Sequence, residues 1–353
     1  MTHIGRPNPA GLPGTSKAAV AHTVNLANNE LAFPPLPAVA AAVDAGIPAL
    51  NRYPSIRPAA LTQALASHLG VAPERVAVGA GSGMLLQHLM QSVCRGPSNV
   101  VYGWPSFEGY PLLARIVGAE PRPVRLTAGQ AHDLDAMLAA ITPSTRMVVI
   151  CNPNNPTGTV VHREEVLGFL HKVPEDVVVV LDEAYHEFVG DPDSLDGVGL
   201  AGEDSEFGNV VSLRTFSKAY GLAGLRVGYC VAAPAVVAAV HEVQLPFTVS
   251  ALAEAAAVVS LSAEGELALR RRDVDQERSR MLTVLGAAGY EVVPSQGNFL
   301  WLPLAQDATR FAKHCMEHNV LVRPVSGEGI RVTVGASTDN DMFLAAASSY
   351  STS

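Results

Sequence analysis

The sequence predicts an α/β fold: a large domain with a mixed, mostly parallel sheet between helices, followed by a smaller α+β domain. Short β-branched or apolar runs alternate with helical stretches through the first two thirds of the 353 residues. These runs stop at polar residues, the pattern of strands buried on both faces of a parallel sheet. After Pro246 the character changes to a long Ala-rich helical segment, 251–287, with only two or three strand-like pieces beyond it. Length alone, at ~150 residues per domain, also suggests about two domains. On this reading 1–45 is an N-terminal segment with part of the small domain, 46–250 the large domain and 251–353 the small one.

Taken in order, Val76–Val78 leads through a Gly-rich turn into a helix over Met84–Cys94. Asn99–Tyr102 reads as a strand and Tyr110–Val117 as a helix. Met147–Cys151, Val177–Leu181 and Asn209–Leu213 are further strands, with helices at Leu134–Ile141 and Arg163–Lys172 between them. The small domain offers strands at Glu291–Pro294, Asn298–Leu302 and Gly329–Val334 and a helix at Asp307–His318. Ligands of open α/β sheets lie beyond the carboxyl ends of the strands. The residues that close each run are therefore the first candidates for chemistry.

Composition narrows the classes. A net charge of −9 disfavours a nucleic-acid surface or an anionic membrane. No apolar run approaches the ~18 residues of a membrane span, and residues 1–22 lack the apolar core of a signal peptide. The expectation is a cytoplasmic protein. Its four cysteines form no Cys-x-x-Cys pair, which speaks against a zinc ribbon or a disulfide framework. Only four of the 24 basic residues are lysine: Lys17, Lys172, Lys218 and Lys313. A reactive amine has few places to be.

Four motifs stand at strand ends. Gly79-Ala80-Gly81-Ser82-Gly83-Met84 joins a strand to a helix, the geometry for an anion at a helix N-terminus. It is neither a dinucleotide fingerprint, which needs Gly in place of Met84, nor a P-loop, which needs Gly-Lys. Asn152-Pro153-Asn154-Asn155-Pro156-Thr157-Gly158 is a stiff turn that can aim one amide at a site. Asp182 closes the Val177–Leu181 run, with Tyr185 three residues on. In Thr215-Phe216-Ser217-Lys218, a lysine follows a buried strand, and Arg226 comes eight residues later. Burial and a nearby cation disfavour the charged amine and make it a nucleophile towards carbonyls. Ser-x-x-Lys, Gly-x-Ser-x-Gly and His-Glu-x-x-His motifs are all missing, so hydrolase and metalloprotease readings lose their anchors.

An amine, a strand-end carboxylate, an Asn/Tyr pair and an anion nest together suit pyridoxal 5'-phosphate. That cofactor needs an amine for its aldehyde, a carboxylate for its pyridine nitrogen, donors for its phenolic oxygen and a cradle for its phosphate.

From about Asn25 to Val334 the chain resembles a fold-type-I pyridoxal-phosphate aminotransferase of the histidinol-phosphate and aromatic amino acid group. The Asn155-Pro156-Thr157-Gly158 and Ser217-Lys218-Ala219-Tyr220-Gly221-Leu222-Ala223-Gly224-Leu225-Arg226 blocks carry the resemblance. It implies that Lys218 takes the cofactor's aldehyde and later carries the substrate's Cα proton. It implies that Asp182 pairs with the pyridine nitrogen, and that Asn155 and Tyr185 contact the phenolic oxygen. Gly81, Ser82, Ser217 and Arg226 would hold the phosphate, with Thr215 assisting. Phe107 matches the aromatic residue that stacks on the ring, and Arg331 the arginine that binds the substrate carboxylate. Arg323 is a second candidate for an anionic end. Tyr53 matches a tyrosine that reaches the neighbouring subunit's phosphate, which implies a homodimer.

Histidinol-phosphate enzymes usually carry acidic residues after the Gly-Ser of the phosphate turn and Asn-Glu-Asn-Pro near the N-terminus. Here those places read Gly83-Met84 and Asn29-Glu30-Leu31-Ala32. The segments 102–111, 245–250 and 298–304 are instead similar to actinobacterial-type aromatic amino acid aminotransferases. The expected reaction is transamination of phenylalanine, tyrosine or tryptophan with a 2-oxo acid such as 2-oxoglutarate; histidinol-phosphate transamination is the alternative. Phe33, Trp104 and Phe247 are candidates for an apolar side-chain pocket. A lyase or decarboxylase would share the fold and the lysine, and product analysis with and without an acceptor separates them.

Overall fold

The structure is a computed structural model that describes residues 23–202 and 205–350. Lys17 and the expectations placed on residues 1–22 lie outside them. The strands are β1 (Val24–Asn25), β2 (Val76–Gly79), β3 (Asn99–Trp104), β4 (Glu120–Arg125), β5 (Thr145–Cys151), β6 (Val178–Asp182), β7 (Val210–Thr215), β8 (Gly228–Ala232), β9 (Phe299–Leu302), β10 (Val320–Leu321), β11 (Arg323–Val325) and β12 (Gly329–Thr333).

Seven of them form the large sheet in the order β2-β8-β7-β6-β5-β3-β4. β3, β4, β5, β6 and β7 run parallel, whereas β8 is antiparallel to both β7 and β2. β2 therefore points the same way as β7, and six carboxyl ends share one edge of the sheet. All five residues of β6 are buried. Fully burying each of its Val and Leu side chains stabilises the fold by roughly 1.5–3 kcal/mol, so this strand has no reason to alternate polar and apolar residues.

Two strands of the large sheet have no counterpart in the sequence reading, and neither do the short strands β1, β10 and β11 of the smaller unit. β4 contains Pro121 and Pro123 and is largely exposed; it is an edge strand, where a missing N–H costs no ladder bond. β8 is a short apolar run between two Gly- and Ala-containing turns, and its antiparallel direction has no local signature. The expected strand at Glu291–Pro294 reduces to a bridge between Val293 and Trp301. The Ala-rich segment is two helices, Ala251–Leu261 and Glu264–Ala287, parted at Ser262-Ala263.

Ala253, Ala256, Ala257 and Leu261 of the first of these helices pack with Val39, Leu61 and Leu65 in the core of the large sheet's helical layer. The longer helix joins both cores: Leu267 belongs to that layer, and Val274, Met281 and Leu285 to a second core with β9 and β12. The smaller unit has the sheet β11-β12-β9. β1 pairs in parallel with β10, and Leu26 bonds through its N–H to Leu321 and through its carbonyl to Thr333. That anchoring delivers the following residues, 27–30, to the mouth of the large sheet. Among the described residues no helix is long and apolar enough to cross a membrane. All four cysteines are free and buried.

Candidate active site

The carboxyl ends of β2, β3, β5, β6 and β7 converge on a cavity of about 390 Å³. Ser82, Phe107, Asn155, Asp182, Tyr185, Thr215, Ser217, Lys218, Arg226, Arg323 and Arg331 all line it. Asp182 and Thr215 close β6 and β7, Ser82 opens the helix after β2, and Phe107, Asn155, Tyr185, Ser217, Lys218 and Arg226 lie in loops beyond large-sheet strands; Arg323 and Arg331 come from β11 and β12 on the opposite wall.

Lys218 is partly buried, and its Nζ donates to the carbonyls of Asn28 (3.0 Å) and Asn29 (3.2 Å). Burial, reinforced by the charge of Arg331, lowers its pKa to about 7. Neutral amine is therefore abundant at physiological pH, as a nucleophile or proton acceptor requires.

Asp182 is buried. Its Oδ2 accepts a 2.7 Å bond from the Tyr110 hydroxyl, while Oδ1 has no hydrogen-bond partner among the described residues. Burial raises the carboxyl to about 6 against the opposing Tyr110 bond. Arg331 is buried too, and burial lowers its pKa. Its guanidinium donates to Asn155 Oδ1 (2.6 Å) and to the Ala27 carbonyl, and its Nε has no partner among the described residues. The Tyr185 hydroxyl accepts a 2.9 Å bond from Asn29 Nδ2. Burial raises that phenol to about 12, although Arg331 and Asn29 pull the other way.

The Gly-rich turn after β2 opens a helix, as the sequence suggests. The helix Ser82–Val93 has Gly81 at its N-cap, with φ of +88° and no side-chain cap. Its first N–H groups are open to a ligand, where the helix dipole favours negative charge. Arg226 Nη1 reaches Ser217 Oγ at 3.2 Å, and Ser217 is bonded in turn to Thr215 (3.0 Å). A Cβ at Gly81 would lie 2.5 Å from Arg226 Nη2, so any other residue would fill the cradle.

Three expected pocket aromatics and Tyr53 are not brought to the cavity. Phe33 packs against the smaller unit's core under the Arg270 guanidinium, 5.5 Å from its ring. Trp104 packs on the layer behind β3. Phe247 stacks on Tyr53 at 4.9 Å on the surface, and Tyr53 is 85% exposed. Base rates for aromatic side chains favour such packing sites, and composition alone could not separate them from a pocket.

Other contributors were missed. Tyr110 reads as a plain helix residue, and only its spacing three after Phe107 hints at the site. Glu108 grips Arg323 through Oε2, with Arg323 Nε at 2.9 Å and Nη2 closer still. Asn29 registers in the sequence only as part of a departure from a motif.

The residue after Asp182 serves the other side of the sheet. Glu183 is 1% exposed and accepts from Gly197 N (2.8 Å), Ser212 Oγ (2.6 Å) and Arg214 Nε (3.1 Å). Arg214 in turn donates to Asp196 (2.6 Å). Among the described residues no group of three or more His, Cys, Asp or Glu side chains could hold a metal ion.

A sheet of this topology with an amine and a carboxylate at adjacent strand ends defines the fold-type-I pyridoxal-phosphate enzymes. The open cradle at Gly81, the unpartnered Asp182 Oδ1 and the Lys218 amine fit that cofactor group by group. Within this class the chain belongs to the aminotransferase class I and II family, whose model matches residues 21–349.

It is 49% identical over 341 residues to an aromatic amino acid aminotransferase of Rhodococcus jostii, covering 97% of this chain and 93% of that one. A second relative with the same name, from Thermobifida fusca, is 49% identical over 93% of this chain and 90% of its own length. Among solved structures, a histidinol-phosphate aminotransferase from Sinorhizobium meliloti in complex with pyridoxal-5'-phosphate superposes with a TM-score of 0.86 at 28% identity, over 92% of this chain and 90% of that one. The chain is an aminotransferase, its cofactor is pyridoxal 5'-phosphate, and its substrates are amino acids and 2-oxo acids.

Proposed function

We propose that the enzyme transfers the amino group of an aromatic L-amino acid (phenylalanine, tyrosine or tryptophan) to a 2-oxo acid such as 2-oxoglutarate. The relatives named aromatic amino acid aminotransferase, at 46–49% identity across nearly the whole chain, support the donor class. The observation that carries the chemistry is the Lys218 amine, lowered to about 7, in one cavity with the unpartnered Asp182 oxygen.

Pyridoxal phosphate, when bound, supplies an aldehyde carbon for the amino group and a ring that stabilises negative charge at Cα. In this reading Lys218 Nζ would take the proton from the substrate's Cα and deliver it to the carbon that was the cofactor's aldehyde carbon, so that the amino nitrogen stays behind when the 2-oxo acid leaves. Asp182 keeps a proton at the ring nitrogen, with Tyr110 fixing the carboxylate. Asn155 and Tyr185 hold the phenolic oxygen. Gly81, Ser82, Ser217, Thr215 and Arg226 would hold the phosphate, and Phe107 would pack against the ring. Arg331 binds the α-carboxylate as a two-pronged donor, which a lysine could not reproduce. Arg323 takes the distal carboxylate of a dicarboxylic acceptor once that carboxylate displaces Glu108.

We propose further that the enzyme is a cytoplasmic homodimer. Phe247 touches the exposed Tyr53 (85%) and bonds to the backbone of the exposed Ile56 (65%), and Ile47 (50%), Leu50 (63%) and Leu245 (74%) in the same two segments are exposed as well, which favours a partner surface. Tyr53 would then serve the partner's phosphate site. For the domains, the packing supports a division in which the helix Ala251–Leu261 stays with the large domain and the helix Glu264–Ala287 is the connector.

Comparing kcat/KM for phenylalanine and for histidinol phosphate tests the substrate. A preference for phenylalanine is expected; a strong preference for histidinol phosphate would overturn the reading in favour of that alternative.

A further inference from the structure

Asn29 is fully buried and holds a left-handed φ of +54°, a conformation asparagine tolerates better than most residues. It touches both walls of the cavity. Its backbone N–H donates to Thr333 Oγ1 at 2.9 Å, and the Thr333 hydroxyl donates to Asn29 Oδ1 at 3.1 Å. Asn298 Nδ2 and Lys218 Nζ both donate to its carbonyl at 3.2 Å.

The Thr333 hydroxyl has one proton, and Asn29 Oδ1 receives it. That fixes which way the Asn29 amide faces: Nδ2, a pure donor, points at the Tyr185 oxygen 2.9 Å away. Tyr185 is thereby an acceptor towards Asn29 and keeps its own proton. Among the described residues its hydroxyl makes no other hydrogen bond, and Tyr185 lines the cavity. The O–H must then be offered to whatever occupies the cavity. Accepting one bond also polarises a hydroxyl and strengthens the bond it donates.

We propose that Asn29 is a positioning residue for the reaction: held by Thr333, it fixes the Tyr185 hydroxyl as a hydrogen-bond donor into the cavity. Its carbonyl, beside that of Asn28, holds the Lys218 amine of the same site. The proposal rests on the reading above in which Tyr185 donates to the phenolic oxygen of the cofactor.

Two measurements separate the two claims. The first is the pH titration of the visible absorption band of the cofactor-loaded protein, in wild type, Tyr185→Phe, Asn29→Gly and the double variant. Glycine accepts the positive φ and removes only the amide. Loss of one buried hydrogen bond should move the Asn29→Gly midpoint by about 0.5 pH unit, in the same direction as Tyr185→Phe. The double variant should titrate like Tyr185→Phe alone, because Asn29 acts through that hydroxyl. An Asn29→Gly midpoint at the wild-type value, or shifts that add in the double variant, overturns the proposal.

The second is isotope-edited infrared spectroscopy of the cofactor-free protein with ring-labelled tyrosine, taking the Tyr185→Phe difference to isolate the Tyr185 C–O stretch. Asn29→Asp replaces the donor with an acceptor and should move that band to the position of a phenol that donates without accepting. An unmoved band also overturns the proposal. Should Tyr185→Phe leave the visible titration unchanged, the role given to Tyr185 fails, and the infrared band alone decides the role of Asn29.

Discussion

Asp182 and Glu183 are neighbours at the end of β6, both buried and both acidic, yet they live on opposite sides of the sheet. Glu183 has three donors, one of them the charged Arg214, and the network closes through Asp196. Asp182 lines the cavity with no cation paired to it among the described residues; its close hydrogen bond is from the Tyr110 hydroxyl, and burial raises its carboxyl to about 6 against the pull of Tyr110 and the Ala184 N–H. The satisfied side stabilises the sheet. The unsatisfied side costs stability, and it is the side to which the proposed function assigns the chemistry.

Four substitutions sharpen or break that contrast. Lys218→Ala should have the largest effect, since losing a general base typically costs about 10²–10⁴-fold; steady-state kcat with phenylalanine measures it, and near-wild-type turnover would remove Lys218 from the reaction. Next comes the structural side. Arg214→Met leaves Glu183 buried without its cation, and such broken pairs cost about 3–5 kcal/mol. Urea unfolding should register that loss, while kcat of the folded fraction stays close to wild type.

Asp182→Asn should do the reverse, losing activity while stabilising the cofactor-free protein at pH 7. The sign follows from the raised pKa. Between the unfolded value near 3.8 and the folded value of about 6, the native state binds more protons, so stability falls as pH rises through this window. Two pKa units correspond to about 2–3 kcal/mol at pH 7. Unfolding midpoints of the cofactor-free wild type and variant should differ at pH 7 and converge near pH 4. Half-buried Glu187, raised to about 7, adds a similar slope to both proteins and cancels in the comparison.

The smallest effect belongs to Glu108→Gln. Freeing Arg323 from its carboxylate should raise kcat/KM for 2-oxoglutarate relative to phenylpyruvate by a few-fold, as charge-assisted bonds to a distal carboxylate replace the internal pair. An unchanged ratio would detach Arg323 from the acceptor.

The same contrast explains what the sequence could and could not tell. Val177–Leu181, stopping at Asp182, is legible because a strand buried on both faces must be apolar and must end where it meets the site. Lys218 is legible because lysines are scarce and this one follows a buried strand. Tyr110 and Asn29 were not, because their partners lie 72 and 156 residues away and only the fold brings them together. Glu183 and Arg214 escaped for the same reason: nothing local says that their charges meet. Phe33 and Phe247 failed as pocket residues because an aromatic side chain satisfies a core, a surface stack and a pocket equally well in sequence.

The central claim is that Lys218 is the amine of the active site. Borohydride treatment of the cofactor-loaded protein fixes the pyridoxyl group to whichever lysine carries it, and peptide mass spectrometry then finds the residue. The expected result is a label on Lys218, absent from Lys218→Ala. A label on Lys172 or Lys313 in wild type, or a covalent label retained in Lys218→Ala, would contradict the account.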